Sequence, residues 1–214
     1  SFFDKGYSSN FFPNYKRHVE GQYNRGADLY RALSISKCLY SSACLQVTKK
    51  SLWSENYLRF KPILHEDEEV LLPLYFSADQ SVCISKVLFK RRVRPDSIMT
   101  GAKSERNING DMETLRSLIK YKENFPDKIK GFDEFWEKRL ELFLYRVITL
   151  SLTVRHVQPM DDLLHTLGEV KSIKMRALLL LRKFPISIQR KLFYLTRGIY
   201  RLVKGINNAI WRRG

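Results

Sequence analysis

The residues best suited to chemistry lie between positions 58 and 99. Leu58-Arg59-Phe60 leads to Ile63-Leu64-His65-Glu66-Asp67-Glu68-Glu69, an apolar run follows, and then comes Val87-Leu88-Phe89-Lys90-Arg91-Arg92-Val93-Arg94-Pro95-Asp96-Ser97-Ile98-Met99. Carboxylates can accept a proton from a reacting hydroxyl, and arginines present forked donors that match phosphate oxygens. Each feature alone has a plainer account. An acidic cluster is an ordinary helix start, where carboxylates meet the positive end of the macrodipole, and an arginine run is most often a solvated loop. Their joint order and spacing set them apart. Cys38, Cys44 and Cys83, with His18, His65, His156 and His165, fall at no metal-ligand spacing. No metal site is therefore expected in this chain, and a reducing compartment is the simpler reading.

The order carries a resemblance. Lys49-Lys50-Ser51-Leu52, Asn56, Leu58 and Phe60 precede His65-Glu66-Asp67-Glu68, Ala78 closes the apolar run, and Arg92-Val93-Arg94-Pro95-Asp96-Ser97-Ile98 follows. Over residues 26–98 the chain resembles the bacterial family 2 glycosyltransferases of the GT-A fold, which build capsule, exopolysaccharide and lipopolysaccharide O-chains. It departs from their pattern at Phe89 and Arg91, where tyrosines are common. The resemblance implies an inverting transfer from a nucleotide-sugar donor to a saccharide or lipid-linked acceptor. It makes Asp67 the general base and Glu66 its supporting or acceptor-binding carboxylate. His65 would then contact substrate or position the turn, and Arg92 and Arg94 would contact the diphosphate or close the site. Asp67 at a helix N-terminus is expected to stay ionised. Ser97 reads as a loop cap.

The family also carries an N-terminal nucleotide-binding half with an Asp-x-Asp motif that holds Mg or Mn on the diphosphate. No such motif precedes residue 66, and the pair Asp161-Asp162 reads as a helix cap. The resemblance thus implies a C-terminal portion, with the metal ligands outside it, and this chain alone is expected to be inactive. A sheet edge left without that half would also be unpaired.

The elements that must position these residues change character along the chain. Positions 1–25 read as loop with one short strand, 27–34 as a helix, 38–48 (CLYSSACLQVT) as a strand, 50–56 as a short helix or turn and 58–60 as extended. Helical spacing covers 70–78, and 81–89 (SVCISKVLF) alternates as a strand does. From Asp111, a plausible N-cap, the pattern is helical to about 124, then from Asp133 to about 154. Further helices are expected from Asp161 or Asp162 to 183 and over 187–211, separated by Pro185. The predicted fold is α/β, a partial GT-A-like segment, followed by an all-helical C-terminal region. The expected divisions are 1–105 for the acceptor-side part, 106–158 for a helical extension and 159–214 for basic amphipathic helices.

The net charge of +16 is unevenly spread. Residues 61–100 hold six basic and six acidic groups, whereas from Lys171 to the end there are twelve Lys or Arg and no Asp or Glu. On a helical wheel of the last segment, Ile188, Leu192, Leu195, Ile199, Leu202, Ile206 and Ile210 fall within about 40° of one direction. Arg190, Arg197, Arg201 and Lys204 fall on the opposite face, and Trp211 lies near the end. Such a helix can pack on the domain with a solvated basic face, lie in the plane of an anionic membrane, or meet nucleic acid. The membrane surface is the preferred partner, because a Lys/Arg face with interfacial Trp and Tyr suits an in-plane helix. Nucleic acid is the least favoured, since no helix-turn-helix, RNA-binding or zinc-finger pattern accompanies the charge. The longest apolar stretch, 140–154, contains Glu141 and Arg146 and falls short of the ~20 residues a span needs. The expected location is cytoplasmic, peripheral on the inner face of the cell membrane. The alternative is a non-catalytic basic module that binds nucleic acid or anionic membrane.

Overall fold

A computed structural model of the chain describes residues 15–90, 92–93, 95, 97–98, 100–124 and 132–154, the backbone of 2–3, and scattered positions between 176 and 192. The chain is mainly helical with a few short strands. The elements run β1 (Phe2–Phe3), β2 (Gly21–Tyr23), α1 (Gly26–Ile35), a 3₁₀ turn (Ala43–Leu45), α2 (Lys50–Glu55), α3 (Glu66–Phe76), β3 (Ser81–Cys83), β4 (Arg92–Val93), α4 (Glu105–Asn124) and α5 (Phe132–Val154). β2 and β3 pair antiparallel with Gln22 opposite Val82, and β1 and β4 pair parallel with Phe2 opposite Arg92. The chain divides into two compact units, Ser1–Leu144 and Tyr145–Gly214.

The core of the first unit is helical. α3 is apolar all round from Val70 to Phe76, every residue of that run being buried, as expected of a helix enclosed by its neighbours. α1 and α4 both pack on it. The first of these contacts depends on Gly26, where a Cβ would collide with the Tyr75 carbonyl oxygen and whose N–H donates to the Ala78 carbonyl at 2.7 Å. α4 turns Ile108, Met112, Leu115 and Leu118 inward, and α5 turns Phe132, Phe135, Trp136, Leu140, Phe143 and Leu144 inward. Trp136 Nε1 donates to the Leu118 carbonyl at 2.7 Å, which ties α5 to α4 while satisfying a buried polar atom. Tyr30 meets Tyr75, Phe76 and Phe135 edge to face, with ring centroids 5.6, 5.6 and 5.2 Å apart.

Three expectations need correction. Residues 38–48 form no strand: Cys38 is buried, the segment turns through Ala43–Leu45, and Val47 is fully exposed. A strand requires a hydrogen-bonded neighbour, and no strand among the described residues pairs with 38–48. For the same reason the strand expected over 81–89 stops at Cys83, because β2 is three residues long; Val87, Leu88 and Phe89 are exposed. Finally, α4 starts at Glu105, not at Asp111. The Ser104 N–H donates to Asn107 Oδ1 at 3.0 Å and the Asn107 N–H returns to the Ser104 carbonyl at 3.0 Å, a reciprocal arrangement that closes the helix start about two turns earlier than expected.

The helix expected over 27–34 and the long one from Asp133 to about 154 are present as α1 and α5. In the second unit, Val147, Ile148 and Leu152 of α5 are buried, and the Thr153 hydroxyl donates back to the Thr149 carbonyl at 2.8 Å. Arg176, Leu180, 187–189, Lys191 and Leu192 are helical. The start of a helix at Asp161 or Asp162 lies outside the described residues, as do Arg94, Arg190, Arg197, Arg201, Lys204 and Trp211. Among the described residues no helix is long and apolar enough to cross a membrane.

Candidate active site

The acidic motif forms the first turn of α3. His65 precedes it in the left-handed region, φ 70° and ψ 32°, and its carbonyl accepts the N–H groups of Glu68 at 3.0 Å and Glu69 at 3.1 Å. A non-glycine residue held there needs support from its surroundings, and α4 supplies it. Gly110 lies so close to the Leu64 carbonyl that a Cβ at this position would collide with it. The next residue, Asp111, is fully buried, with Oδ1 3.9 Å from His65 Nε2. The glycine brings the loop onto the helix, and the adjacent carboxylate then faces the imidazole.

Two further side chains of the turn are held by cations, one from α5 and one from the loop that precedes α3. Arg139 of α5 donates through Nη2 to the Glu68 carboxylate at 2.5 Å and to the Glu68 carbonyl at 3.0 Å. Lys61 Nζ sits 3.3 Å from Glu69, 3.1 Å from Glu113 and 2.6 Å from the Ser117 hydroxyl. Partial burial alone would lower the Lys61 pKa, but its hydrogen bonds and the charges of Glu113 and Glu69 outweigh that and raise it. It stays charged.

Asp67, the second residue of the same turn, is half-buried, and its pKa is pushed up to about 6. Burial is the main cause, followed by the charges of Glu68 and Glu66; the N–H groups of Glu68 and Asp67 itself oppose it. The helix start was expected to favour the ionised form of Asp67, and the net shift runs the other way. Desolvation and like charge outweigh the backbone donors. At pH 7 the group is still mostly ionised, by about ten to one, while holding a proton far better than an ordinary aspartate.

The motif residues His65, Glu66 and Asp67 are thus adjacent at one helix start. Arg92 stands exposed on β4, a separate element. Ser97 acts as a turn cap: its N–H donates to Thr100 Oγ1 at 3.0 Å, and its carbonyl accepts from Thr100 and Gly101 at 3.0 and 2.8 Å. Sequence reasoning passed over Lys61 and Arg139 and read Asp111 only as a helix cap. For two of them a signal existed, since Asp111 falls in the apolar series 108, 112, 115, 118 and Arg139 in the series 132, 135, 136, 140, 143. A charge at core spacing needs a partner.

The Mg or Mn that the family resemblance implies does not fit these residues. Among the described residues no three His, Cys, Asp or Glu side chains are grouped to hold a metal ion. Glu68 and Glu69 are moreover engaged in ion pairs with Arg139 and Lys61. Compared with protein-family models, curated proteins and solved structures, the chain has no match in any of the three.

Proposed function

We propose that this chain is the acceptor-side, C-terminal portion of an inverting family 2 glycosyltransferase of the GT-A fold, acting in cell-surface polysaccharide synthesis. The observation that carries the reading is Asp67, a half-buried carboxylate with its pKa near 6 on a turn held from α4, from α5 and from the preceding loop. A general base works best with a proton affinity close to the working pH. In the proposed step the acceptor hydroxyl oxygen attacks the anomeric carbon while its proton passes to Asp67. The bond from that carbon to the diphosphate oxygen breaks, and the nucleoside diphosphate leaves with the electron pair. Glu66, next to the base and half-buried, binds or orients the acceptor, and His65 holds the turn or contacts the sugar. Arg92 and Arg94 serve the departing diphosphate with forked donors.

The nucleotide-sugar donor, and the metal on its diphosphate, belong to a nucleotide-binding half outside this chain. Support for a missing partner layer comes from Val82, Ile84, Val87, Leu88 and Phe89, five large apolar side chains exposed within eight residues. The short parallel pair of β1 and β4 points the same way, since parallel strands are normally covered on both faces. The basic C-terminal segment is assigned to the inner face of the cell membrane, where it would hold the site near a lipid-linked acceptor. Replacing Asp67 by Asn in the complete enzyme tests the reading: transfer is expected to stop with donor binding retained, and continued turnover would remove Asp67 as the base.

A further inference from the structure

The segment from Val47 to Phe60 has order without burial. Its helix, α2, is six residues long and none of them is buried, although a helix that short is normally held by packing of one face. Local bonds hold it instead. The Leu58 N–H donates to the Trp53 carbonyl at 2.9 Å and the Tyr57 N–H to the Ser54 carbonyl at 3.4 Å, a Schellman turn with Tyr57 at φ 53° where glycine is usual. The Trp53 indole N–H donates to Thr48 Oγ1 at 2.6 Å, and its ring lies 5.0 Å from that of Phe60 at 52°. At the end of the arm Lys61 fastens it to α3 and α4 through Glu69, Glu113 and Ser117, just before the acidic turn.

What this arm turns to solvent is apolar and basic. Val47 and Tyr57 are almost wholly exposed, Phe60 is half-exposed, and Leu52 and Trp53 are only partly covered. Lys49, Lys50 and Arg59 stand exposed among them against a single acid, Glu55, and none of the three pairs with a carboxylate among the described residues. Several polar groups that could hydrogen-bond a sugar are spent within the arm: the indole N–H on Thr48, the Asn56 amide on the Leu52 carbonyl at 2.9 Å, and the Ser54 hydroxyl on the Ser51 carbonyl at 3.1 Å. Aromatic rings beside aliphatic side chains and unpaired cations, with few polar groups left to read hydroxyls, suit the headgroup boundary of an anionic bilayer.

We propose that the arm from Val47 to Phe60 is a membrane-contact site, which places Trp53, Tyr57 and Phe60 in the headgroup layer of an anionic bilayer and, through Lys61, sets the acidic turn beside that surface. The inference builds on the peripheral-membrane reading above, but the contact belongs to the first unit and is separate from the basic C-terminal segment.

The test uses the 214-residue chain carrying Trp211→Phe, in which Trp53 is the one indole left outside the core, Trp136 being buried. On mixed phosphatidylcholine–phosphatidylglycerol vesicles the emission is expected to move to shorter wavelength and to be quenched by lipid brominated on its acyl chains. Pure phosphatidylcholine vesicles at the same lipid concentration should give a much smaller response. Lys49→Gln with Lys50→Gln should weaken the binding read this way about tenfold, since two cations near an anionic surface are removed. A chain that floats with the vesicles while Trp53 keeps its wavelength in buffer and stays unquenched would overturn the proposal and leave the C-terminal anchor standing. A response of equal size on neutral vesicles, or one given only by a soluble saccharide or a single-stranded RNA, would overturn it as well. Flotation and Trp53 quenching that both survive replacement of Arg190, Arg197, Arg201 and Lys204 by Gln would support the arm while removing the C-terminal segment as the anchor.

Discussion

Asp67 meets two opposed demands. Solvent around it is partly excluded and two neighbouring carboxylates repel its charge, so ionisation costs the fold stability, while a base must be ionised to accept a proton. With a pKa raised from 3.8 to about 6, the folded chain binds this proton more tightly than the unfolded chain does. Stability from Asp67 is therefore fully present below about pH 4 and lost as pH rises through about 6. Asp67→Asn is accordingly expected to stabilise the chain at pH 7 by about 1–2 kcal/mol, after discounting for solvent screening at this half-exposed site. Denaturant melts at pH 7 and below pH 4 check this; the gain should vanish at the lower pH, and a destabilised variant at pH 7 would contradict it. The motif from His65 to Glu69 was legible as an acidic helix start, because carboxylates in the first turn are a local signal. The direction of the Asp67 shift was not legible, because it depends on burial by elements far away in sequence.

At the scale of elements, the site is a contact between the start of α3 and the second turn of α4. Glycine inside an exposed helix normally costs about 1 kcal/mol relative to alanine, so replacement by alanine would ordinarily help. Gly110 should behave in the opposite way, since a Cβ there meets the Leu64 carbonyl oxygen, a backbone atom that cannot rotate aside. Gly110→Ala is expected to destabilise the chain by about 1–3 kcal/mol and to disturb the His65–Asp111 approach. Equilibrium unfolding, with the His65 ring resonances as a local probe, checks both. The stretch Arg106-Asn107-Ile108-Asn109-Gly110-Asp111 looks like a loop by composition, which hid the first two turns of α4. Tertiary burial of Ile108 and Asp111 overrides that local preference. The strand expected over 38–48 failed for the complementary reason: alternation is local, but pairing needs a partner strand.

For the whole molecule, a charge of +16 resolves into a nearly neutral neighbourhood around Asp67 and a C-terminal segment without acidic residues. The chain is expected to float with vesicles containing anionic lipid and to be released as salt approaches about 0.5 M, because screening shortens the reach of surface charge. Equal binding to neutral vesicles would contradict the electrostatic account. The mixture of helix and short strands in the first part and the long helix α5 were legible in the sequence, since α5 is a long, largely apolar run opened by Asp133 and Glu134. The exposed apolar run from Val82 to Phe89 fits a site completed by a second layer.

The measurement closest to the central claim is transfer of labelled sugar from a nucleotide-sugar donor by the complete enzyme, comparing the original protein with Asp67→Asn across pH 5–8. The original should lose activity toward acid with a midpoint near 6, the value at which Asp67 takes up its proton. Asp67→Asn should bind donor and transfer nothing at any pH. Turnover retained in Asp67→Asn, with the same acid limb, would contradict the account.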